Sequence, residues 1–596
     1  MRNTTKTLCL IGMLLFTITI LSGAARKNQS TDKTLKSDNK GIEIIWKKSA
    51  SITDPEARYA GFKPSTTVLP KGYVHTEGGL PLPCDIIFMR DVEMTLRDGT
   101  KIYTDIFLPS GAGKVPAIIS WGPYGKFGSG FQNLETWPSE GIDKSQLSGL
   151  QKFEACDPAY WCNQGYAIVN PDVRGAFMSE GNIYQWGTQD GKDGYDFVEW
   201  LANQDWCNGK IGMAGNSWLA ISQWFIAAEQ PPHLAAIAPW EGLTDLLRDD
   251  ICKGGIPNTF FCEYILNHLY GNNYTEDAPS MLKKYPNTNE YWEDKIPELE
   301  KIKVPAYIVA SYNSSAHTRG TFEAFRKISS NEKWLRVHNT SEWPDFYEKA
   351  HQEDLKKFMD YYLKGVKNNW ANTPKVRLSV IDPGGTDIVD RAEKEFPLSR
   401  QNFKKLYLNN ASNTLTNENL KKEGTVSYDS ESQNPQVSFT MPINEEVEIV
   451  GYCKAKLWVE VKDSNDMDLY IYIRKLDKNG KMLSQQGIGQ YSGPEGKLRV
   501  SRRKLDTKTS TESEPRLALE GNDYLSPGEI VPVEIGFWPT GLVFHKGEQL
   551  QFIISSKSIT GAMSMGGMIT DSSSKGTHII YVGGQYDSHV LVPFIH

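Results

Sequence analysis

The regular alternation of apolar and amphipathic runs between residues 115 and 240 is the feature that most constrains how this chain can fold. The runs VPAIISW, YAIVNPD and KIGMAGN are almost continuously apolar, which is typical of strands buried on both faces of a sheet. The segments DGYDFVEWLANQ and WLAISQWFIAAEQ carry apolar residues at helical spacing. Because parallel strands need crossover connections, which are usually helices, this alternation predicts a parallel sheet with helices on both faces.

A β-hairpin precedes these elements and further strands follow them. The segment that starts at Ile86, IIFMRDVEMTLRDGTKIYTDIFLP, alternates apolar and polar residues around an Arg-Asp-Gly-Thr turn. Residues 241–300 interrupt the strand–helix rhythm with helical pieces and many aromatic residues, as expected of an inserted cap. Strand patterns resume at 304–313 and 333–339. Residues 81–373 are therefore predicted to form an α/β domain with a helical cap at 241–300.

The pattern changes after about residue 374. Segments such as CKAKLWVEVKDSNDMDLYIYIRKL and VPVEIGFWPTGLVFHKGEQLQFIISS read as strands joined by Asp, Asn and Gly turns, and convincing helical patterns are absent. Residues 374–596 are accordingly predicted to form an all-β sandwich of the jelly-roll type. Residues 26–80 are polar and irregular, which indicates a tail and an irregular N-terminal lead-in.

The first 25 residues have the layout of a signal peptide. Arg2 and Lys6 precede an apolar run at 8–21, and small residues at 22–25 follow it. The apolar run is shorter than the roughly 20 residues that a membrane-spanning helix needs. The pattern therefore predicts export, with cleavage near Ala24 and no membrane association afterwards.

Charge and cysteine content narrow the class of protein further. The formal net charge of −7 gives no basic surplus, which argues against a nucleic-acid-binding protein. Eight cysteines include Cys9, so cleavage would leave an odd number. Cys156 and Cys162, like Cys252 and Cys262, are close enough in sequence to be bridged, but the connectivity stays open. The absence of Cys-x-x-Cys and His-Glu-x-x-His patterns predicts no metal site.

The serine in the stretch IGMAGNSWLAISQW stands where a buried strand becomes a helix. Ligands of open parallel sheets bind beyond the carboxyl ends of the strands, so Ser217 would project from the functional edge. A tight turn of this kind is the arrangement of a nucleophile elbow, whose usual pattern is Gly-x-Ser-x-Gly. Here Gly215 is present and the last glycine is replaced by Leu219. Because serine is also a preferred helix N-cap, the turn alone does not separate a nucleophile from a cap.

Several segments in order resemble the α/β-hydrolases related to cocaine esterase and the Xaa-Pro dipeptidyl-peptidases, the CocE/NonD and peptidase S15 group. They are the hairpin MTLRDGTKIYTDIFLP, the turn WGPYGK, the segment GYAIVNPDVRGAFMSEG, the helix and elbow DGYDFVEWLANQDWCNGKIGMAGNSWLAISQW, and PPHLAAIAPWEGLTDLLRD. The resemblance covers roughly residues 86–590. It implies an α/β-hydrolase fold with a C-terminal domain like that of Xaa-Pro dipeptidyl-peptidases.

The resemblance also implies functional roles. Ser217 would be the nucleophile, and Tyr124, in the family's Pro-Tyr-x-Lys turn, would donate one hydrogen bond to the oxyanion. The backbone N–H of Trp218 would be the second donor. The implied substrates are small esters, amides or short peptides, including Xaa-Pro dipeptides, and no cofactor is implied.

The base and acid positions depart from the family pattern. The family acid is an aspartate just after a buried strand, where this chain has Asn313 or Ser314. The family histidine follows the next strand. In strict register this chain has Glu342 at that position, and its own histidine, His338, lies four residues earlier.

Three hypotheses follow from this departure. In the first, His338 is the base and Asn313 orients it, as a neutral amide does in papain-like proteases. In the second, the two loops exchange roles, so that His317 is the base and Glu342 the acid. In the third, the triad is degenerate and Ser217 has lost its chemistry.

Together, these observations predict an exported serine hydrolase that cleaves esters or amides through an acyl-enzyme, with Xaa-Pro peptides among the candidate substrates. Glu241 and Asp245 are candidates for binding the free α-amine that a dipeptidyl-peptidase would require. The alternative is a catalytically degenerate hydrolase scaffold that binds glycan or peptide on its jelly-roll. The oligomeric state does not follow from the sequence.

Overall fold

The computed structural model describes residues 35–36, 41–126, 141–484, 493–559 and 573–595. The predicted signal peptide lies outside these ranges. Within them, no helix is both long enough and apolar enough to cross a bilayer. The described residues form an α/β domain built on one large mixed sheet and an all-β C-terminal domain, so the predicted fold class is confirmed.

The α/β domain is organised by an 11-stranded sheet. Its strands in chain order are β1 (Ser65–Leu69), β2 (Ile86–Thr95), β3 (Lys101–Pro109), β4 (Val115–Ile119), β5 (Ala167–Asp172), β6 (Cys207–Asn216), β7 (Leu234–Trp240), β8 (Ala306–Ser311), β9 (Lys333–His338), β10 (Val376–Val380) and β11 (Ile388–Glu393). Their spatial order is β11-β10-β9-β8-β7-β6-β4-β5-β3-β2-β1. Strands β5 to β10 and β4 pair in parallel, and the remaining strands pair antiparallel at the two edges.

The order of the strands fixes where a ligand can bind. The chain leaves β4 toward β5 on one side and returns to β6 on the other, so the strand order reverses between β4 and β6. Ligands of such sheets bind at the carboxyl ends of the strands near this reversal. Strands β4 and β6 pair in parallel, with Ile119 opposite Met213. The turns that follow these two strands, which contain Tyr124 and Ser217, are therefore neighbours.

Helices cover both faces of the sheet, as the alternating pattern predicts. They are α1 (Pro158–Asn163), α2 (Thr188–Ala202), α3 (Trp218–Ala228), α4 (Phe260–Leu266), α5 (Ala278–Lys284), α6 (Glu290–Asp294), α7 (Thr318–Lys327), α8 (Glu342–Tyr347) and α9 (Lys349–Leu363). Alternate residues of β4 enter opposite apolar layers: Ala117 and Ile119 pack on one face, and Ile118 packs on the other. This two-sided burial explains why the strand reads as a continuous apolar run.

The segment between β7 and β8 is helical, in agreement with an inserted cap. It contains a π-helix at Leu246–Ile251, a 3-10 turn at Lys253–Gly255 and the short helices α4 to α6. A three-residue strand at Tyr274–Glu276 pairs with Trp46–Lys48, and β1 is an edge strand of the large sheet. The prediction of an irregular lead-in at 26–80 is therefore wrong for these two stretches.

The C-terminal domain is all-β. Its strands are β12 (Asn402–Asn409), β13 (Thr414–Thr416), β14 (Gly424–Asp429), β15 (Gln436–Pro442), β16 (Val447–Gly451), β17 (Lys454–Lys462), β18 (Asp468–Leu476), β19 (Met482–Leu483), β20 (Glu495–Arg499), β21 (Val531–Gly536), β22 (Thr540–Phe544), β23 (Gln549–Ser555), β24 (Thr577–Val582) and β25 (His589–Ile595). All belong to one network of paired strands.

The boundary between the domains differs from the predicted one. The sequence places the end of the α/β domain at residue 373, but β10 and β11 still belong to the 11-stranded sheet. Ile381, just after β10, exchanges backbone hydrogen bonds with the C-terminal domain, accepting from Val543 and donating to Gly541, each at 2.9 Å. The loss of helical patterning after residue 374 therefore marks the last helix of the α/β domain and not its end.

The cysteines of the described ranges are free thiols. The two local pairs that sequence spacing allowed, Cys156 with Cys162 and Cys252 with Cys262, are not bridged. Six of the seven are buried, so they act as small apolar side chains in the core.

Gly320 is a position where the packing of α7 depends on the absence of a side chain. A Cβ there would lie 2.5 Å from Leu243 Cα and from Thr244 N, both main-chain atoms. We expect Gly320→Ala to lower the free energy of unfolding by about 1–3 kcal/mol, because the helix must move away from this backbone. Urea denaturation measures the change.

The matched control is Gly113→Ala, because nothing lies within 4 Å of a Cβ at Gly113. It should change the free energy of unfolding by less than about 0.5 kcal/mol. Equal stability of the two variants would contradict the close packing of α7 on residues 243–244.

Candidate active site

Ser217 occupies a strained turn between β6 and α3. Its φ of 51° and ψ of −118° lie outside the favoured regions for an L-residue. Gly215 precedes it at φ 148°, and a Cβ there would lie 2.7 Å from Leu219 Cβ. The Ser217 N–H is held by the carbonyls of Trp240 and Glu241, at 3.2 and 3.1 Å. The main chain is thereby fixed in a conformation that an ordinary helix start does not require.

The Ser217 side chain does not cap the helix. It makes no capping hydrogen bond to α3, and its Oγ lies 3.2 Å from Nε2 of His317. Ser217 is partly exposed although its neighbours on both sides are buried. The hydroxyl therefore faces a histidine at a position that a substrate can reach, as a nucleophile requires and a helix cap does not.

His317 links the serine to a carboxylate. It directly precedes α7, and its Nδ1 lies 3.1 Å from Oε2 of Glu342, the first residue of α8. When Nδ1–H donates to this carboxylate, the Nε2 lone pair is directed to the serine hydroxyl. Asn216 fixes the acid from the elbow itself, because its Nδ2 donates to the Glu342 carbonyl at 3.2 Å. Ser217, His317 and Glu342 are thus arranged as a nucleophile, a base and an orienting acid.

The electrostatics favour the charged form of His317. Burial disfavours the imidazolium, but the carboxylates of Glu342 and Glu241 outweigh this effect and raise the pKa of His317 above its usual 6.5. Glu241 Oε2 lies 4.0 Å from His317 Nδ1, and the Ser314 hydroxyl lies 3.1 Å from the same nitrogen. The site therefore stabilises the imidazolium that forms when a base accepts the serine proton.

The structure does not bring His338 and Asn313, the base and orienting residue of the first hypothesis, to Ser217. His338 is the last residue of β9, and its Nε2 lies 2.7 Å from Oε1 of Glu241 and not against Ser217. The Asn313 side chain donates to the Thr340 carbonyl at 3.1 Å. His338 ends its strand inside the sheet edge, whereas His317 lies farther along the loop that follows β8. That position brings His317 over the elbow.

Tyr124 completes the site from the neighbouring strand end. Its side chain is buried and interacts with the Ser217 side chain. Burial, with further contributions from Glu154 and Glu342, raises the pKa of Tyr124 well above 10, so the phenol keeps its proton and can donate it in a hydrogen bond. Trp218 opens α3, so its N–H is one of the first-turn amides without an intrahelical acceptor. Both predicted oxyanion donors thus flank the serine.

Lys152 supports the turn that carries Tyr124. Its buried Nζ donates to the carbonyls of Gly122 and Pro171, at 2.5 and 2.6 Å, and so connects the ends of β4 and β5. Burial lowers the pKa of Lys152 to about 7, with Asp172 acting in the opposite direction. The sequence carried no signal for this role because Lys152 lies in an irregular segment.

Glu154 is a second buried carboxyl group that sequence reasoning missed. Its Oε1 accepts a hydrogen bond from Trp343 Nε1 at 2.8 Å, and its Oε2 has no partner among the described residues. Its carbonyl accepts from the Asn216 N–H at 3.2 Å, which ties it to the elbow. Burial, strengthened by the charge of Glu342, raises the pKa of Glu154 well above its usual value. The protein thus favours the neutral form of Glu154 beside the triad.

Three of these side chains also present atoms that a metal ion could bind. Glu241, His317 and Glu342 offer ligand atoms within 4.8 Å of one another. His317 and Glu342 contact each other at 3.1 Å, and Glu241 Oε1 contacts His338 at 2.7 Å. Glu241 Oε2 has no hydrogen-bond partner among the described residues. With Nε2 of His317 directed to the serine, the set fits proton transfer better than metal binding.

Aromatic side chains form the wall around the serine. The rings of Trp186 and Trp218 are 4.3 Å apart, and Tyr124 makes edge contacts with Phe153 at 5.5 Å and with Trp218 at 5.9 Å. Such walls exclude water from the reacting groups, which strengthens their electrostatic interactions.

Two family models match the chain. The model described as X-Pro dipeptidyl-peptidase (S15 family) matches residues 98–274, which include Tyr124 and Ser217. The model described as X-Pro dipeptidyl-peptidase C-terminal non-catalytic domain matches residues 368–591.

Curated relatives match a shorter part of the chain. Cocaine esterase from Rhodococcus sp. (strain MB1 Bresler) is 31% identical over 158 residues, which are 26% of this chain and 24% of that protein. A putative serine esterase from Mycobacterium bovis is 32% identical over 179 residues, 28% of this chain and 27% of that protein. The chain thus spans only about a quarter of the length of these relatives.

Solved structures match nearly the whole chain. One crystal structure of a CocE/NonD family hydrolase from Staphylococcus aureus is 35% identical, with a TM-score of 0.81, and covers 86% of this chain and 94% of that one. A second, at 1.95 Å, is 33% identical with a TM-score of 0.83 and covers 91% of this chain and 98% of that one. Identity of 33–35% over almost all of that hydrolase shows that this chain belongs to the CocE/NonD family of hydrolases.

Proposed function

We propose that this protein is an exported serine hydrolase that cleaves ester or amide bonds through an acyl-enzyme on Ser217. The observation that carries the proposal is the chain of contacts from the Ser217 hydroxyl to His317 Nε2, at 3.2 Å, and from His317 Nδ1 to Glu342, at 3.1 Å. The strained φ of Ser217 and the flanking donors Tyr124 and Trp218 support the same conclusion.

The geometry supports a two-step reaction. In the first step, Ser217 Oγ attacks the carbonyl carbon while His317 Nε2 accepts the hydroxyl proton. Tyr124 and the Trp218 amide donate hydrogen bonds to the oxyanion, and Glu342 stabilises the imidazolium. His317 then passes its proton to the leaving alcohol or amine as the bond to the carbonyl carbon breaks.

The second step removes the acyl group by the reverse sequence. His317 Nε2 accepts a proton from a water molecule whose oxygen attacks the acyl-serine. The same two donors hold the second oxyanion, and His317 returns the proton to Ser217 Oγ as the carboxylic acid leaves. Every proton passes through a single ring nitrogen, which is why the orientation of His317 by Glu342 matters.

Contacts in the site favour esters and simple amides over Xaa-Pro dipeptides. A dipeptidyl-peptidase needs free carboxylates for the substrate's α-amine, and Glu241 and Asp245 were the candidates. Glu241 is engaged by His338 at 2.7 Å, and Asp245 contacts both Arg248 and Arg516 at 2.9 Å. Asp245 is therefore neutralised. Glu241 is buried between His338 and His317, and its Oε2 lacks a hydrogen-bond partner among the described residues.

A catalytically inactive binding scaffold is the weaker candidate. The triad contacts, the strained serine and the supported tyrosine turn all lie in one site, and a scaffold that only binds glycan or peptide requires none of them. Export is proposed from the basic, apolar and small-residue pattern of residues 1–25 alone.

Hydrolysis of a neutral ester tests the reaction class. We expect the mature protein to hydrolyse p-nitrophenyl acetate, and Ser217→Ala to lower kcat by at least about a thousandfold because the nucleophile is lost. Xaa-Pro p-nitroanilides should be cleaved much more slowly than the ester. Circular dichroism checks that Ser217→Ala is folded, and a folded variant with unchanged activity would overturn the proposal.

The pH dependence of kcat/KM tests the base. His317 acts as a base only when neutral, and Glu342, Glu241 and Asp250 all favour its charged form. Because its pKa is raised, activity should increase with pH through a midpoint above the usual 6.5. Glu342→Gln removes one carboxylate, so the midpoint should move to lower pH while kcat falls by about 10²–10⁴-fold.

Glu300→Gln is the control for this experiment, because Glu300 is exposed at the end of the cap. It should leave both the midpoint and kcat unchanged. A midpoint that Glu342→Gln does not move would show that Glu342 does not act on the base.

A further inference from the structure

A cavity of about 380 Å³ lies between the α/β domain and the C-terminal domain, on the base side of Ser217. It is lined by α7, by the cap segment around residues 248–254 and by residues from β20, β21 and the loop between them. Ser315 lines it, and the adjacent Ser314 contacts His317 Nδ1 at 3.1 Å. No lining residue within the described ranges comes from the segments that carry Tyr124 or Trp218. Its volume is in the usual range for small-molecule sites.

Most charged side chains that line this cavity have an ion-pair partner within the protein, whereas the lining carboxylate Glu495 forms no ion pair with the described residues. Arg319 pairs with Asp249, Arg326 with Glu514, Lys327 with Glu323, and Arg248 and Arg516 with Asp245. Their charges are neutralised within the protein, so they offer little to a ligand.

Three lysines that line the cavity, Lys253, Lys497 and Lys508, form no ion pair with the described residues. Of these, Lys508 is exposed to solvent, whereas the other two are partly buried. Lys253 Nζ makes one hydrogen bond, to the Ser315 carbonyl at 2.6 Å, which leaves two of its three N–H donors unused. Lys497 Nζ makes no hydrogen bond or ion pair with the described residues and lies 5.9 Å from the centre of the Tyr470 ring. Both side chains are partly exposed, and both line the cavity.

The backbone is built to hold these lysines together. Gly254 has φ 62°, and a Cβ there would lie 2.0 Å from the Lys497 carbonyl oxygen. The cap segment therefore packs directly on the main chain of β20, so that two ammonium groups from different domains face one cavity. Burial, with the charge of Lys497 next, lowers the pKa of Lys253 to about 8, against the opposing effects of Asp250 and Glu495. An anion in the cavity would attract both ammonium groups and so offset the repulsion between the two lysines.

We propose that Lys253 and Lys497 form an anion-recognition site that selects esters bearing a carboxylate group. The proposal rests on the hydrolase activity proposed above and names the substrate class of that site. The carboxylate would accept hydrogen bonds from both ammonium groups while the ester carbonyl lies at Ser217. A neutral or cationic group in the same place would leave the two lysines uncompensated.

Pairs of esters that differ only in charge test the proposal. One pair carries the charge on the leaving group, 4-acetoxybenzoate against its methyl ester. The other carries it on the acyl group, mono-p-nitrophenyl glutarate against p-nitrophenyl valerate. Each kcat/KM is divided by the rate of alkaline hydrolysis of the same ester. We expect the anionic member of at least one pair to be preferred by about ten- to a hundredfold, as charge-assisted hydrogen bonds would give.

Variants assign the preference to the two lysines. Lys253→Gln and Lys497→Gln should each lower the preference for the anionic ester, and the double variant should bring the preference close to unity. The kcat/KM for neutral esters should change by less than about threefold. Lys327→Gln is the matched control, because Lys327 lines the same cavity but pairs with Glu323 at 2.8 Å. Lys327→Gln should keep the preference for anionic esters.

Binding gives a second measurement that does not depend on catalysis. Calorimetry should detect binding of 4-hydroxybenzoate or glutarate to the folded wild-type protein, and weaker binding to the double variant. Equal turnover of the anionic and neutral members of both pairs, or a preference that survives the double variant, would overturn the anion site. Absence of all ester hydrolysis with intact anion binding would instead overturn the proposed hydrolase activity.

Discussion

The sharp turn at Ser217 is the constraint on which the site depends. A serine at φ 51° cannot start the helix in the ordinary way, so its hydroxyl leaves α3 uncapped and faces His317. The turn is possible because Gly215 allows Leu219 to approach and because two carbonyls at the end of β7 hold the Ser217 N–H. Asn216, inside the same turn, holds the main chain of Glu342. The nucleophile and the acid are thus positioned by adjacent residues of one strand end.

Buried carboxyl groups set the electrostatics around this turn. Glu342 and Glu241 raise the pKa of His317, while Glu241 also has its own partner in His338. Burial and the charge of Glu342 raise the pKa of Glu154, which disfavours a third charge in the same space. The second histidine, which the sequence offered as a base, therefore serves to neutralise a carboxylate. This division of roles explains how several acids can surround one imidazole without excessive repulsion.

The sequence predicted the fold class, the elbow and the tyrosine turn, because apolar periodicity and turn residues are local properties. It left the base open between His317 and His338, since both lie at or just past the carboxyl end of a strand and only the path of the chain there decides which ring reaches Ser217. The exchange of acid and base between loops also broke the expected chain order. Glu154 and Lys152 had no detectable pattern, because their roles arise from burial between distant segments. For the same reason the sequence did not reveal the lysines that meet across two domains.

Labelling with a fluorophosphonate probe tests most directly whether Ser217 is a nucleophile activated by His317. The wild-type protein should be labelled, folded Ser217→Ala should not, and His317→Gln should slow labelling by about a thousandfold. His338→Gln should stay within about tenfold of the wild-type rate, because glutamine can still donate a hydrogen bond to Glu241. Labelling that survives Ser217→Ala, or that is abolished by His338→Gln and not by His317→Gln, would contradict this account.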